Sequence, residues 1–431
     1  MTMKTTFLAA VALFATSSTS LIAEPADWPQ YRGRRLDGTT TEKISQSWPS
    51  TGLKAVWKTP LNSGFSSFTT GGGKAFTLVT KSVEGVNRET LVALDAESGK
   101  EAWSYPLDIS KYDGGGDSGS NENKGGDGPR STPSFADGKV YAMSLRLKLV
   151  CLDANSGKLL WSRNLVDQHG GSNIKWQNAA SPVIDGDLIF VAGGGAGQAL
   201  LGLNRMTGEV VWKGQDDVMT HATPIVTDIA GQRQVIFFTQ SGLVALAPKS
   251  GQVLWRHKFP FSVSTAASPV VSGDIVYCSA GYGVGSTAVR LKKDGDRWEA
   301  TEMWRLTGNK ICNHWSTPVV VGKYLYGMFS FKEYGSGPMK CVELETGKEM
   351  WAKPGFGPGN LILVDGTLLA LSDAGELVLV KADPKGYSEL ARTKAVDGKC
   401  WSTPVVSHGK ILVRSTKEGA AFRAAGSLSR R

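Results

Sequence analysis

A short unit recurs along most of the chain and constrains its fold more than any other feature of the sequence. Each copy has a run of apolar residues ending in a polar or small residue, then a glycine four positions later and a tryptophan four positions after that. A degenerate copy has Gly295 and Trp304 with extra residues between them. The regular copies are Asp95, Gly99 and Trp103; Asp153, Gly157 and Trp161; Asn204, Gly208 and Trp212; Ala247, Gly251 and Trp255; and Glu343, Gly347 and Trp351.

A second recurring unit precedes each of these copies. It contains a small residue, usually a proline, a β-branched run, a glycine and a second apolar run. Two such runs around a glycine turn predict a β-hairpin. There are eight instances: 131–144, 180–194, 222–239, 267–281, 316–330 and 402–416 contain the proline, and 67–79 and 359–373 lack it.

The two units together predict one four-stranded antiparallel sheet per repeat. A sheet with two apolar faces cannot bury both alone, but copies stacked radially bury both and protect their edges. The sequence therefore predicts an all-β protein, an eight-bladed β-propeller. In each repeat we expect the glycine to supply a positive φ, the tryptophan to pack between neighbouring blades, and Asp95 and Asp153 to bond their own turns.

The ends of the repeat region indicate how the ring closes. The hairpin 402–416 is followed by one candidate strand and has no tryptophan strand of its own. Segment 54–61, which contains Trp57, is a tryptophan strand without a preceding hairpin. We therefore expect 54–61 to be the outer strand of the last blade, and 52–425 to form the propeller.

The termini predict the compartment. Residues 1–23 have a basic start, an apolar run and a small residue, Ala23, before a plausible cut, which is typical of a signal peptide. We expect a soluble protein of the periplasm or cell envelope, with no transmembrane segment in the mature chain. Residues 24–51 are expected to pack on the propeller as an extension, and 426–431 to form a basic tail. The net charge of +9 is scattered along the chain, which does not favour nucleic-acid binding.

The repeats resemble those of the pyrroloquinoline quinone-like β-propeller family. The opening residues 27–33 are similar to an exported bacterial branch likened to the propeller lipoprotein of the outer-membrane barrel-assembly machine. That resemblance implies a scaffold that binds other proteins, although the lipid-acceptor cysteine is missing. The other branch, the quinone- and calcium-dependent dehydrogenases, often carries adjacent cysteines. Here the cysteines are isolated, at 151, 278, 312, 341 and 400.

Polar and aromatic residues precede several of the hairpins. These segments are expected to converge at one mouth of the central channel, where stacking planes and oriented polar groups can bind a ligand. The alternative is that they cap strands and fill the axial hole. Cys312 and His314 are too close in sequence for a usual zinc pair, so no metal site is predicted, and no catalytic residues are identified. The candidate ligand-binding residues are Arg130, Gln177, Asn178, His221, Asn313, His314, Trp315 and Trp401.

The sequence thus favours a non-catalytic binding scaffold without a cofactor, with envelope proteins or a surface ligand as partners. One alternative is a dehydrogenase of alcohols or sugars that uses pyrroloquinoline quinone and calcium. Another is a carbohydrate-binding propeller with Trp315 and Trp401 as stacking platforms. The insertion 107–130, rich in Gly, Asp and Asn, is expected to be a flexible loop rather than a calcium site.

Overall fold

The computed structural model describes residues 26–111 and 128–424, which form eight blades of four antiparallel strands, one of them extended by a fifth, parallel strand. The predicted eight-bladed, all-β propeller is confirmed. The predicted signal peptide, the basic tail and most of the 107–130 insertion lie outside the described residues. Within the described ranges, no helix has the length and apolar character needed to cross a membrane.

The strands follow one another blade by blade. Two early strands, β1 (Thr39–Thr40) and β2 (Ala55–Pro60), join the last two blades. Blade 1 is Thr69–Gly71, Lys74–Val83, Val86–Asp95 and Glu101–Ile109 (β3–β6); blade 2 is Ser134–Ala136, Lys139–Met143, Lys148–Asp153 and Leu159–Asn164 (β7–β10); blade 3 is Val183–Asp185, Leu188–Ala192, Leu200–Asn204 and Val210–Gly214 (β11–β14); blade 4 is Ile225–Ile229, Gln232–Thr239, Gly242–Leu246 and Val253–Lys258 (β15–β18). A short helix, α1 (Leu165–His169), lies between blades 2 and 3.

The second half of the ring repeats the pattern. Blade 5 is Val270–Ser272, Ile275–Ala280, Gly285–Asp294 and Arg297–Leu306 (β19–β22); blade 6 is Val319–Val321, Tyr324–Met328, Met339–Glu343 and Glu349–Lys353 (β23–β26); blade 7 is Asn360–Val364, Thr367–Leu371, Glu376–Lys381 and Glu389–Lys394 (β27–β30); and Val405–Ser407, Lys410–Arg414 and Glu418–Arg423 (β31–β33) are the inner strands of blade 8. Strand β1 adds to blade 7 in parallel with β27.

The ring closes where it was predicted to close. Strand β2 pairs antiparallel with β33 as the outer strand of blade 8, with Trp57 opposite Ala421. Arg414 reinforces this seam, because its buried guanidinium donates to Leu78 O at 2.7 Å and to Asn62 O at 3.0 Å. Burial lowers the pKa of Arg414 to about 9. Carbonyl oxygens on the blade 1 side of the seam thus hold this cation, and no carboxylate of the described chain forms an ion pair with it.

Five of the blade junctions use a glycine and a tryptophan together. Gly157 has a φ of +73°, and a Cβ added there would lie 2.7 Å from the ring of Trp103 in the preceding blade. The Trp103 indole also donates to Ala154 O at 3.1 Å, in the same turn as Gly157. The glycine therefore serves both the turn and the approach of the ring. The same contact joins Trp57 to Gly99, Trp161 to Gly208, Trp212 to Gly251 and Trp304 to Gly347.

Two tryptophans lack this glycine contact. Trp351 still donates to Asp383 O of blade 7, although a Cβ at Gly386 would meet nothing within 4 Å, and Trp255 departs further. Trp255 donates to Gln234 of its own blade at 2.7 Å instead of to the next blade. The next turn, at Gly295, closes a long β21–β22 hairpin, and a Cβ there would meet nothing within 4 Å. The extra residues noted in this repeat have therefore moved the turn away from the junction. Asp95 accepts hydrogen bonds from the Ser98 backbone N–H and hydroxyl, and Asp153 does the same with Ser156.

The segment before the first blade covers one mouth of the channel. Trp28 O accepts a hydrogen bond from Thr70 of blade 1, and Pro29 O accepts one from Phe135 of blade 2. Arg32 is buried, and it donates at 2.8 Å to Thr317 O, just before blade 6. Residues 26–40, which we call the sealing segment, therefore cross the ring and close this mouth.

Candidate functional site

A cavity of about 420 Å³ occupies the opposite, open mouth. It is surrounded by residues that precede the inner strands of the blades, among them Thr132, Ser181, Thr223 and Thr403. Tyr31 of the sealing segment also lines it, so the cavity ends where that segment crosses the channel. This arrangement follows from the repeat, because every inner strand starts at the same end of the ring.

The residues proposed from sequence fall into two groups. Asn178 and Asn313 are buried behind the cavity wall, because the Asn178 amide donates to Ser144 O and the Asn313 amide donates to Met328 O. Gln177 is buried next to Asn178 and is likewise not among the lining residues. The other five proposed residues do line the cavity: Arg130, His221, His314, Trp315 and Trp401.

Aromatic rings form a continuous wall around part of the cavity, which we call the aromatic arc. Each ring contacts the next along the arc. Its successive centroid distances are 4.4, 4.5, 5.2, 5.2 and 6.0 Å, from Phe65 to Trp401, Trp315, His314, Tyr282 and Trp176. Tyr334 stacks against Trp401 at 5.8 Å and leaves 47% of its surface exposed at the rim. Trp401 is therefore partly covered by its neighbours and is not an open platform.

Three cations surround the arc. Arg130 donates to Trp176 O at 2.5 Å, Lys175 Nζ lies 4.9 Å from the Trp176 ring, and Lys332 Nζ lies 4.7 Å from the Tyr282 ring. Among the described residues, no aspartate or glutamate lines the cavity. The charged side chains among the described lining residues are therefore all cationic, which favours an anionic ligand.

Two buried histidines face the same cavity. His221 is 9% exposed and His314 is 4% exposed, and within the described part of the chain neither His221 Nε2 nor His314 Nδ1 has a hydrogen-bond partner. Burial lowers the pKa of both to about 3, with the charge of Arg130 adding to the effect at His221. Both rings are therefore neutral at pH 7 and keep unused hydrogen-bonding capacity.

The cavity also contains hydroxyl groups with free donors. Thr132 Oγ1 accepts a hydrogen bond from Ser67 N at 3.0 Å, and Ser181 Oγ accepts one from Thr132 N at 2.9 Å. Equivalent hydrogen bonds from a backbone N–H of one blade to a hydroxyl of the next link successive blades. They explain why Ser or Thr recurs before the prolines. Across residues 26–111 and 128–424, none of these O–H groups donates to another protein atom. The hydroxyls that accept a backbone N–H in this way belong to Ser67, Thr132, Ser181, Thr223 and Ser264.

Several lining residues escaped the sequence analysis because they come from loops. Trp176, Tyr282 and Lys332 have φ values of +67°, +59° and +58°, a region that bulky side chains rarely occupy. Such strained residues cluster at ligand sites. A repeat-based analysis finds residues in phase with the strands, whereas these positions have no such phase. The pairing of a lysine with an aromatic residue, as at 175–176 and 331–332, was the available signal.

The donor set can be tested against the groups used by the quinone-dependent enzymes. Calcium takes oxygen ligands, mainly carboxylates, yet among the described lining residues there are none, and no cluster of three His, Cys, Asp or Glu side chains in that part of the chain could hold a metal. A flat ring sandwiched between two aromatic planes needs them about 7 Å apart, since each contact takes about 3.5 Å. The stacked pairs here lie 4.4 to 6.1 Å apart. The described lining, which has no carboxylate, does not fit calcium, and none of these adjacent stacked pairs leaves room for a flat ring between its two planes.

The cysteines give no redox chemistry at the mouth. Cys151, Cys278, Cys312, Cys341 and Cys400 are all buried free thiols. Burial raises the pKa of Cys312 and of Cys400 to about 12, so neither forms a thiolate at neutral pH.

Comparison with known proteins places the chain in a family. A family model described as outer membrane protein assembly factor BamB matches residues 87–353. The BamB protein of Moranella endobia is 23% identical over 328 residues, covering 73% of this chain and 77% of that protein. The quinoprotein ethanol dehydrogenase of Pseudomonas aeruginosa is 31% identical, but over 37% of this chain and 25% of the enzyme.

Solved structures with low sequence identity show the same fold. BamB from Moraxella catarrhalis has a TM-score of 0.56 at 15% identity, covering 88% of this chain and 99% of that one. Quinohemoprotein alcohol dehydrogenase from Comamonas testosteroni has a TM-score of 0.63 at 12% identity, covering 94% and 82%. Both branches of the resemblance noted in the sequence are thus represented. Because the family model spans more than half of the chain, this protein belongs to the pyrroloquinoline quinone-like β-propeller family described as outer membrane protein assembly factor BamB.

Proposed function

We propose that this protein is an exported binding scaffold of the bacterial cell envelope, that it takes part in the assembly of outer-membrane proteins, and that protein partners dock on the rim of the open mouth. Family membership supports the role, and the signal-peptide pattern of residues 1–23 supports export. Sharing a fold with dehydrogenases supports no activity, since function depends on the site.

The composition of the cavity wall is the observation that supports a function in binding rather than in catalysis. Aromatic rings and cations offer stacking and charge, while the described lining residues include no carboxylate to act as a general base. The two histidines have pKa values of about 3, far below the range in which a general acid or base works well at neutral pH. The site is thus equipped to bind.

Site-specific crosslinking tests the proposed role. A photoreactive residue replaces the exposed rim residue Tyr334, and a control carries it at the exposed Lys249, in a turn at the other end of the ring. In cells, the rim position is expected to crosslink to a component of the outer-membrane protein assembly machinery, and position 249 is not. Equal crosslinking from both positions, or none from the rim, would contradict the proposal.

A quinone-dependent dehydrogenase is the second candidate, favoured by the similarity to the Pseudomonas ethanol dehydrogenase. The lack of lining carboxylates in the described chain and the close stacking of the rings both count against it. Incubation with pyrroloquinoline quinone and calcium, followed by absorbance and alcohol-dependent dye reduction, separates the two. We expect neither quinone uptake nor turnover, whereas stoichiometric uptake with turnover would favour the enzyme.

A further inference from the structure

We propose that the cavity of the open mouth binds an acidic sugar, a pyranose carrying a carboxylate, as a unit of an anionic glycan. This inference goes beyond the proposed protein-binding role, because it concerns the interior of the cavity rather than its rim. It follows from the charge, the hydrogen-bond donors and the ring geometry of the cavity wall.

The charge of the wall selects an anion. Arg130 and Lys175 lie at the blade 2 and 3 side, and Lys332 lies at the blade 6 side, across the ring. Among the described lining residues, no carboxylate faces Lys175 or Lys332. A carboxylate can be bound from either side, and hydrogen bonds between ionised partners are the stronger class.

The hydroxyl groups select a ligand rich in oxygen acceptors. The lining hydroxyls, including those of Thr132, Ser181 and Thr223, have an acceptor position filled by backbone N–H while the O–H stays unused. A sugar carries an oxygen on nearly every carbon, so it can accept several of these donors at once. A flat aromatic acid carries oxygens only at its edge and leaves most of the donors unpaired, at a cost for each.

The buried histidines add to this selection. The unpartnered His221 Nε2 and His314 Nδ1 belong to side chains that are more than nine-tenths buried, and a buried polar atom without a partner is costly. Sugar hydroxyls donate and accept, so they can pair with a neutral imidazole whichever nitrogen carries the proton. A ligand of this class therefore satisfies atoms that the protein leaves unsatisfied.

The aromatic arc fixes the shape of the ligand. Its three stacked pairs have centroids 4.4, 4.5 and 6.0 Å apart, so a flat ring cannot enter between adjacent parallel rings of the arc. A pyranose needs one ring surface for its C–H groups, and the partly exposed Trp315 and Trp176 can offer it. The volume of about 420 Å³ lies within the range of small-molecule sites.

Titration calorimetry and tryptophan fluorescence with tri-galacturonate test the inference, with maltotriose as the neutral control. We expect saturable binding of tri-galacturonate and at least about tenfold weaker binding of maltotriose, which lacks the carboxylate and so loses a charged hydrogen bond. Equal affinity for the two sugars, or no saturation by tri-galacturonate up to about 10 mM, would overturn the proposal. Binding of pyrroloquinoline quinone in place of the acidic sugar would overturn it as well.

Two variants localise the binding without disturbing the core. Lys332→Met keeps the apolar stem and removes the charge at the exposed rim, so it is expected to weaken tri-galacturonate binding at least about tenfold. Lys249→Met, at an exposed turn away from the cavity, is expected to change nothing. Equal effects of the two substitutions would contradict a site in the cavity. The crosslinking of position 334 is read separately, so failure of sugar binding and failure of the scaffold role remain distinguishable.

Discussion

The two mouths of this propeller are built on the same strands but differ in how far their buried polar groups are satisfied. At the closed mouth, the Arg32 guanidinium donates to the carbonyl oxygens of Thr317, Pro318 and Asp37, each at 2.8 Å, while its Nε has no partner among the described residues. At the open mouth, His221 and His314 are equally buried but each keeps an atom without a partner in the described chain. The sealing segment makes this difference, because it covers only one end of the channel.

The comparison separates stability from binding. Buried polar groups are normally satisfied, and an unsatisfied one needs a reason. Hydrogen bonds at the closed mouth contribute to the free energy of unfolding. At the open mouth, buried atoms without partners lower that free energy but remain able to pair with a ligand.

Acid pH is expected to have the largest effect, and it acts through the open mouth. The pKa of His221 and of His314 is about 3 in the folded chain, against an ordinary value of about 6.5. The unfolded chain binds more protons below pH 6.5, so stability falls as the pH drops from about 6.5 towards 3. Each histidine contributes about 1.4 kcal/mol per pH unit, or about 5 kcal/mol for the pair over two units. Urea denaturation at several pH values measures this slope.

The control for the pH experiment is the double substitution of the histidines. Carboxylates with lowered pKa values, such as Asp217, change stability in the same direction, so the slope of the unmodified protein does not isolate the open mouth. The double variant His221→Leu and His314→Leu should reduce the slope of the free energy of unfolding against pH by the amount that corresponds to about two protons. An unchanged slope would mean that the histidines protonate in the folded protein.

Loss of Arg32 should have the next largest effect, at the closed mouth. Arg32→Met leaves three carbonyl oxygens without their donor, and we expect a loss of about 3 kcal/mol in the free energy of unfolding. Arg34→Met is the matched control, because Arg34 is exposed two residues away, and its effect should stay within about 0.5 kcal/mol. Equal losses in the two variants would mean that Arg32 does not anchor the sealing segment.

A substitution at a blade junction should lower the stability of the whole ring. Gly157→Ala places a Cβ 2.7 Å from the Trp103 ring and is expected to cost about 2 kcal/mol. Gly138→Ala has a similar φ, +71° against +73°, with nothing within 4 Å of the added Cβ, and should cost about 1 kcal/mol. Thermal unfolding compares the two. If the costs are equal, the contact with Trp103 is not a constraint.

The smallest expected effect has the opposite sign. His314→Leu removes a buried nitrogen that has no partner in the described residues and keeps an apolar side chain in its place. At pH 7 we expect the free energy of unfolding to rise by about 1 kcal/mol, measured by urea denaturation. A clear loss of stability would show that His314 is satisfied in the folded protein, and the contrast between the mouths would then fail.

The fold could be predicted in detail because the physics of a blade is local and repeated. The spacing from Gly157 to Trp161 recurs with the strands, and Trp57 without a hairpin before it revealed the partner of the last blade. The second reason for the glycines, their contact with the tryptophan of the preceding blade, was not foreseen. The spacing of residues within one repeat does not show which residues of the neighbouring blade contact it.

The site could be predicted only in part. Positions just before the inner strands, such as His221 and Trp401, are in phase with the repeat, and the structure places them on the cavity wall. Trp176 and Tyr282 come from loops with positive φ, and Tyr31 comes from outside the repeats. Loop conformation and the path of an extra segment depend on contacts distant in sequence, which pattern alone does not encode.

The pairing of β2 with β33 has a consequence for biogenesis. Trp57 pairs with Ala421, so more than three hundred residues must be synthesised before the ring can close. Contacts so distant along the chain form slowly. Until then β2 has an unpaired edge that other strands can approach, and a chain that ends before β33 lacks the strand that pairs with it. Closure of the ring therefore depends on the synthesis of β33.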